Sequence, residues 1–161
     1  MKRLILMRHA KSDWNHPNLS DHDRPLNKRG RRAAPLMGQW LRDQGYAPDF
    51  ALVSSAVRTQ ETFALTGLGC ASRTEARLYN AASETILQAI QGGDEAAATM
   101  IVVAHQPGMQ DTANRLLPEW EVDEYPTGKV TILDFDAPTW FEVTWGDARL
   151  VAEMAPRLLD G

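Results

Sequence analysis

Short continuous apolar runs alternate along this chain with stretches whose apolar residues fall three and four apart. Leu4-Ile5-Leu6-Met7, Ala51-Leu52-Val53 and Met100-Ile101-Val102-Val103-Ala104 are runs of strand length, the pattern of strands covered on both faces. From Asn27 to Gln44 the spacing of Ala33, Leu36, Met37, Trp40 and Leu41 predicts a helix stopped by Gly45, with Pro35 implying a kink or a late start. A second helix is predicted from Ser54 to Thr66, with Ser55 as N-cap and Gly67 closing it. Ser83 caps a third, carrying Ile86, Leu87 and Ile90 before Gly92-Gly93, and Pro107 to Leu117 forms a fourth, stopped by Pro118. Lys129 to Phe135 and Phe141 to Trp145 read as two strands joined by the turn Asp136-Ala137-Pro138-Thr139. Residues 11–27 are polar and form a long loop, of the kind that often carries function beside a strand end.

Strands alternating with helices predict an α/β fold: a three-layer αβα sandwich whose central sheet is mostly parallel, with a late antiparallel edge. No repeat or low-complexity linker divides the 161 residues. Residues 1–161 therefore read as one domain, long enough to bury about 70% of its unfolded surface.

The chemistry gathers where the apolar runs stop. The first ends in Arg8-His9, and the second runs into Ser54-Ser55 with Arg58 in the following helical turn. The third ends in His105, before Gln106-Pro107-Gly108. Open α/β sheets bind ligands beyond the carboxyl ends of their strands. Singly, each residue has a plainer reading as a solvated arginine or a loop or core histidine; the joint placement of two Arg and two His at three strand ends is what marks a site. Phosphate explains the set best, because two guanidinium forks can hold its non-bridging oxygens. A neutral imidazole can attack phosphorus in line and leave a phosphohistidine for water to hydrolyse. The second imidazole, protonated, would neutralise charge on the equatorial oxygens. Metal is the rival for two histidines, but there is no His-x-x-x-His pair or Cys cluster, and an adjacent Arg repels a dication. The expectation is no metal and no cofactor.

Charge and composition then narrow the partners. The net charge of −4 gives no general reason to expect nucleic acid or an anionic membrane. Cys70 stands alone and Lys2-Arg3 precede only four apolar residues, so neither a disulfide nor a signal-peptide core is expected. The chain reads as soluble and cytoplasmic. Five Trp argue against disorder. The run Lys28-Arg29-Gly30-Arg31-Arg32 is read as a solvated helix face in preference to a nucleic-acid patch, with steering of an acidic partner as a third use. His16 and His22 are read as exposed, Trp40 as core, and Glu119, Glu121, Asp123 and Glu124 as a solvated turn.

Leu6-Met7-Arg8-His9-Ala10 resembles the Arg-His-Gly signature of the histidine phosphatase superfamily, the phosphoglycerate-mutase-like phosphatases. Ser54-Ser55-x-x-Arg58-x-x-x-Thr62 and Val103-Ala104-His105 match its second and third blocks. Arg24-Pro25-Leu26, Gly30 and Trp145 are similar to the small SixA-type phosphohistidine phosphatases. The resemblance implies His9 as the nucleophile, Arg8 and Arg58 as phosphate clamps and His105 as the second histidine. It also implies Arg24 at the phosphate or substrate, and Asn15 in the place of a phosphate-binding Asn of larger relatives. The implied substrate is phosphohistidine on a signalling protein, in particular a phosphorelay domain.

Two departures matter. Ala10 replaces the Gly that often follows the histidine, so positive φ is not required there. The acid that larger relatives use to protonate an alcohol leaving group has no clear counterpart. Glu84 is nearest in chain order, and its plainer reading is a first-turn acid favouring a helix dipole. Lack of that acid suits phosphohistidine, whose leaving imidazole takes a proton on its own nitrogen. Only 46 residues separate Arg58 from His105, which leaves little chain for a lid and predicts an open mouth. The alternatives are a small-molecule phosphomonoesterase with a working acid, a mutase, a phosphate-recognition module without turnover and, last, a nucleic-acid binder.

Overall fold

The apolar runs become strands because both faces of the sheet are covered. In the computed structural model, which describes residues 1–159, the elements in order are β1 (Lys2–Arg8), α1 (Lys28–Asp43), β2 (Phe50–Ser54), α2 (Val57–Thr66), β3 (Ala71–Glu75), α3 (Ser83–Gln91), β4 (Thr99–Ala104), α4 (Gly108–Leu116), β5 (Val130–Phe135), β6 (Arg149–Met154) and α5 (Pro156–Leu159). Alternate residues of each strand face opposite sides. Leu4, Leu6, Leu52, Met100 and Val102 pack with Ile86 and Ile90 of α3 and Met109 and Leu116 of α4. Ile5, Met7, Val53, Ile101 and Val103 pack with Met37 and Leu41 of α1 and Phe63 of α2. The result is three layers, αβα.

The strand order is β3-β2-β4-β1-β5-β6. β1 with β4, β4 with β2, and β2 with β3 pair in parallel, while β5 runs antiparallel to both β1 and β6. The chain leaves β1 towards the α1 face and leaves β4 towards the α4 face. A crevice therefore opens between the carboxyl ends of these two neighbours, as expected at a topological switch point.

Four local expectations are corrected. Phe141 to Trp145 is not a strand: residues Trp140–Glu142 form a 3₁₀ turn. Trp140 is fully buried there, its indole Nε1 donating to the Ala97 carbonyl at 2.9 Å. Satisfying that buried donor fixes the turn, and the edge strand comes later, as β6. Ser55 does not cap α2; Ala56 holds that position and makes no side-chain cap. Ser83 is the first residue of α3 rather than its cap, and its hydroxyl accepts from Arg115 Nη1 at 2.6 Å. Pro35 does not delay α1, which starts at Lys28 because Asn27 Oδ1 accepts from Gly30 N at 2.9 Å. No helix among the described residues is long and apolar enough to cross a membrane.

Candidate functional site

In the parallel register Arg8 lies opposite Ala104, so the next residue of each strand, His9 and His105, meet at the crevice with ring centroids 5.4 Å apart. β2 flanks β4 and delivers Ser54, after which α2 carries Arg58 in its first turn. Arg8, His9, Arg24, Arg58, Asn80 and His105 line one cleft of about 290 Å³, with Lys11, Ser12, Trp14, Gln106 and Thr127 completing its wall. The two Arg and two His expected at the strand ends are thus brought together, with Arg24 beside them.

His9 Nδ1 lies 2.7 Å from the Ala10 carbonyl oxygen. A carbonyl only accepts, so Nδ1 carries the ring proton and Nε2 keeps a free lone pair. Burial, with the nearby His105 and arginines adding to it, pushes the His9 pKa down to about 3, so the ring is neutral at pH 7. Ala10 N donates to Thr62 Oγ1 at 2.9 Å, and that hydroxyl donates to the Arg58 carbonyl at 2.7 Å. Thr62 thereby ties the nucleophile's loop to the helix bearing Arg58.

Without a phosphate beside it, His105 is not a cation. Burial first, then Arg58, lowers its pKa to about 4, so it is neutral. Its Nε2 is 2.8 Å from Ser54 Oγ, which also accepts from Ala56 N at 3.4 Å. The Ser54 hydroxyl proton is therefore free to donate to Nε2, leaving the ring proton on Nδ1. His105 acts as a neutral donor, and a bound phosphate dianion would draw its pKa upward.

Both arginines are anchored through their terminal nitrogens. Arg8 Nη1 donates to the Tyr125 carbonyl at 2.9 Å. Arg58 Nη1 and Nη2 donate to the carbonyl and carboxylate of Asp21 at 2.7 and 3.0 Å. Arg8 Nε, Arg58 Nε and His105 Nδ1 are buried and have no protein hydrogen-bond partner. Buried donors are almost always paired; three unpaired ones on residues lining one cleft suit that cleft to an oxyanion.

A carboxylate absent from the sequence-based expectations stands behind this site. Asp21 accepts from Arg24 Nη1 on one oxygen and from Arg58 Nη2 and Tyr79 Oη on the other. The Tyr79 hydroxyl, with the two arginines, holds the Asp21 carboxyl well below the usual carboxylate range. The only sequence signal was Asp21 three residues before Arg24 in a polar loop, which does not say that Tyr79 would fold against it. His22 is also more than an exposed loop residue. Its Nε2 is 2.9 Å from Ser55 Oγ, and its ring meets Tyr79 edge-on at 4.9 Å. Arg24 is buried, with Nε donating to Ser12 Oγ at 3.1 Å and its guanidinium 3.6 Å from the centre of the Trp14 ring.

Two of the named residues lie outside the cleft. Asn15 is exposed, its backbone N donating to Asp13 Oδ1 at 2.8 Å. Glu84 is exposed and paired with Arg115 Nη1 at 2.7 Å. Neither is among the cleft-lining residues.

The family model of the histidine phosphatase superfamily (branch 1) matches residues 4–85, from β1 into α3. The chain belongs to this superfamily. An uncharacterised protein of Mycobacterium tuberculosis is 36% identical over 160 residues, covering 94% of this chain and all of that one. Among solved structures, a candidate phosphohistidine phosphatase SixA from Nakamurella multipartitia is 30% identical, with a TM-score of 0.88 and 96% of each chain covered. A candidate SixA from Agrobacterium tumefaciens is 28% identical, with a TM-score of 0.83 and 96% of this chain and 99% of that one covered. This chain is a histidine-phosphatase superfamily hydrolase. The family match contains Arg8, His9, Arg24 and Arg58 but ends before His105, whose place in the site follows from the β1–β4 register.

Proposed function

We propose that this phosphatase hydrolyses phosphohistidine on a protein through a phosphorylated His9. The Nε2 lone pair of His9 forms a bond to phosphorus as the bond to the leaving imidazole nitrogen breaks; the electron pair stays on that nitrogen, and the ring, already protonated on its other nitrogen, departs as neutral imidazole. Water then attacks the phosphorus of phospho-His9, releasing inorganic phosphate and restoring Nε2. Arg8 Nε, Arg58 Nε and His105 Nδ1 bind the equatorial oxygens as charge grows on them, and Arg24 meets the phosphate or its carrier. The observation that carries this reading is the set of three buried, unpartnered donors beside a neutral imidazole with a free Nε2.

The leaving group follows from which acids are present. Among the described residues, no Asp or Glu lines the cleft. Asp21, behind it, is held as the carboxylate by Tyr79, Arg24 and Arg58, and Glu84 is engaged by Arg115. No carboxylic acid among the described residues is therefore poised to give a proton to a departing alkoxide, whereas an imidazole leaves readily without a strong acid beside it. Trp14, 75% exposed on the cleft wall, offers an apolar surface to a folded partner whose side chain enters the cleft. A phosphorelay domain of a signalling protein, in the cytoplasm where Cys70 stays reduced, is the substrate this reading names.

The test is rapid quench with a labelled phosphodonor, followed by kcat/KM on a matched panel of phosphohistidine protein, phosphoserine peptide and sugar phosphates. Label should sit on His9 as an acid-labile, base-stable adduct, with turnover unaffected by EDTA, and phosphohistidine should win the panel. Turnover without His9 label would overturn the covalent route. A sugar or nucleotide phosphate that wins, with Glu84→Gln abolishing its hydrolysis, would replace this reading with a small-molecule phosphomonoesterase.

A further inference from the structure

The rim of the cleft carries a charge pattern that fold stability does not account for. The first turn of α1 presents Lys28, Arg29 and Arg31, with Arg32 next, and contains no acid. A helix N-terminus already carries about half a positive charge, so cations there oppose the dipole and repel one another. In a chain of net charge −4 this clustering is the reverse of what helix stability favours. Arg31 is engaged, Nη1 donating to the Leu26 carbonyl at 2.7 Å. Arg29 and Arg32 are exposed, and among the described residues neither side chain has a hydrogen bond or ion pair.

Arg29 and Arg32, with Lys11 and Arg157, line a pocket of about 190 Å³ whose wall, among the described residues, has no Asp or Glu. Arg157 is balanced by Glu124, and among the described residues the other three cations have no ion-pair partner. Lys11 and Thr127 line both this pocket and the His9 cleft, so the two are immediate neighbours. Gly30 is what permits it: a Cβ there would lie 2.2 Å from the Lys11 carbonyl oxygen. The basic turn is pressed directly onto the chain leaving β1, and Asn27 N donates to that same carbonyl at 3.0 Å.

We propose that this pocket is a second anion subsite, taking a carboxylate or a second phosphate of the same substrate whose phosphoryl group enters the His9 cleft. The inference rests on the phosphatase reading and extends it to the substrate's class: a phosphorylated molecule with a further anionic group close to the phosphate. Acidic side chains flanking a phosphohistidine supply that chemistry, and so does a small bisphosphate. Both would be steered to the cleft by the same field, which salt screens.

The test is the double variant Arg29→Glu/Arg32→Glu, at two exposed positions outside the cleft. It should not lower Tm, because acids now suit the helix N-terminus. KM for a phosphohistidine protein with acidic residues beside the phosphorylated side chain should rise at least 10-fold and lose most of its salt dependence. Its kcat, and both constants for phosphoimidazole, which has no second anion, should hold. If a small bisphosphate shows the KM effect and the phosphoprotein does not, the second anion is a phosphate of a small molecule and the subsite stands. Unchanged KM for both overturns it. Titration with inorganic phosphate, followed by backbone-amide NMR, reads the subsite without turnover. Shifts at residues 29–32 should appear in the wild type and vanish in the variant, while shifts around His9 persist. Absence of the first set in the wild type overturns the subsite. Their presence in a protein that turns over nothing overturns the phosphatase reading of the cleft and leaves the subsite intact.

Discussion

Arg58→Lys separates a clamp from a cation. The Arg58 side chain is 5% exposed and uses both terminal nitrogens on Asp21, while its Nε stays buried and unpartnered. Lysine keeps the charge but concentrates it on one nitrogen, which can satisfy Asp21 or the cleft and not both. The Asp21 side of the pair is 47% exposed, so solvent replaces much of what is lost. The stability cost is then about 1 kcal/mol, or roughly 2–4 °C in Tm for a domain of this size. Losing a donor to the transition state costs about 2.7–4 kcal/mol, which is roughly 10²- to 10³-fold in kcat. Activity should therefore collapse in a protein that still folds. The assay is kcat and KM on a phosphohistidine protein at 25 °C, with a thermal melt of the same preparation. Near-wild-type kcat with an intact melt would show that Arg58 is a structural tie to Asp21, and the assignment of the clamp would fall.

Ser54→Ala removes the hydroxyl that donates to His105 Nε2. About 1–1.5 kcal/mol of hydrogen bonding corresponds to roughly 10-fold in kcat, with KM changed less; ¹⁵N NMR of the ring should show the proton no longer held on Nδ1, and an unchanged tautomer would refute the role. His9 and His105 titrate at about 3 and 4 in the folded protein, against about 6.5 in the unfolded chain. Between those values the unfolded state binds more protons, so the stability present above pH 6.5 is lost as pH falls towards 4, by on the order of several kcal/mol; Asp21, also depressed, extends the loss to lower pH. Urea unfolding from pH 7 to 4 measures this slope, His9→Ala should flatten it, and a flat wild-type profile contradicts the burial of the two rings. Gly30→Ala drives a methyl into the Lys11 carbonyl and should destabilise by about 1–3 kcal/mol, checked by chemical denaturation; a neutral result would mean the contact is not as close as described.

The buried strands and the four residues at their ends were legible in the sequence because each is a local pattern. A continuous apolar run implies cover on both faces wherever it sits, and the residue that follows it must emerge at a sheet edge. β3 left no such trace: Ala71-Ser72-Arg73-Thr74-Glu75 is mostly exposed on the sheet's rim, so burial imposes no period on it. Phe141 to Trp145 resembled a strand by composition, and only the Ala97 carbonyl, 43 residues before Trp140, decides otherwise. The Asp21–Tyr79 contact spans 58 residues, and no spacing rule reaches that far. The protonation of His105 was equally out of reach, because it depends on how much water is excluded and how near Arg58 comes. Which side chains arrive at the carboxyl edge of the sheet is a local matter, since strand length and apolar continuity are properties of neighbouring residues. Their anchoring, their charge state and the basic turn pressed against Lys11 were decided only by the tertiary structure, because desolvation and hydrogen bonding act between groups that the chain keeps far apart.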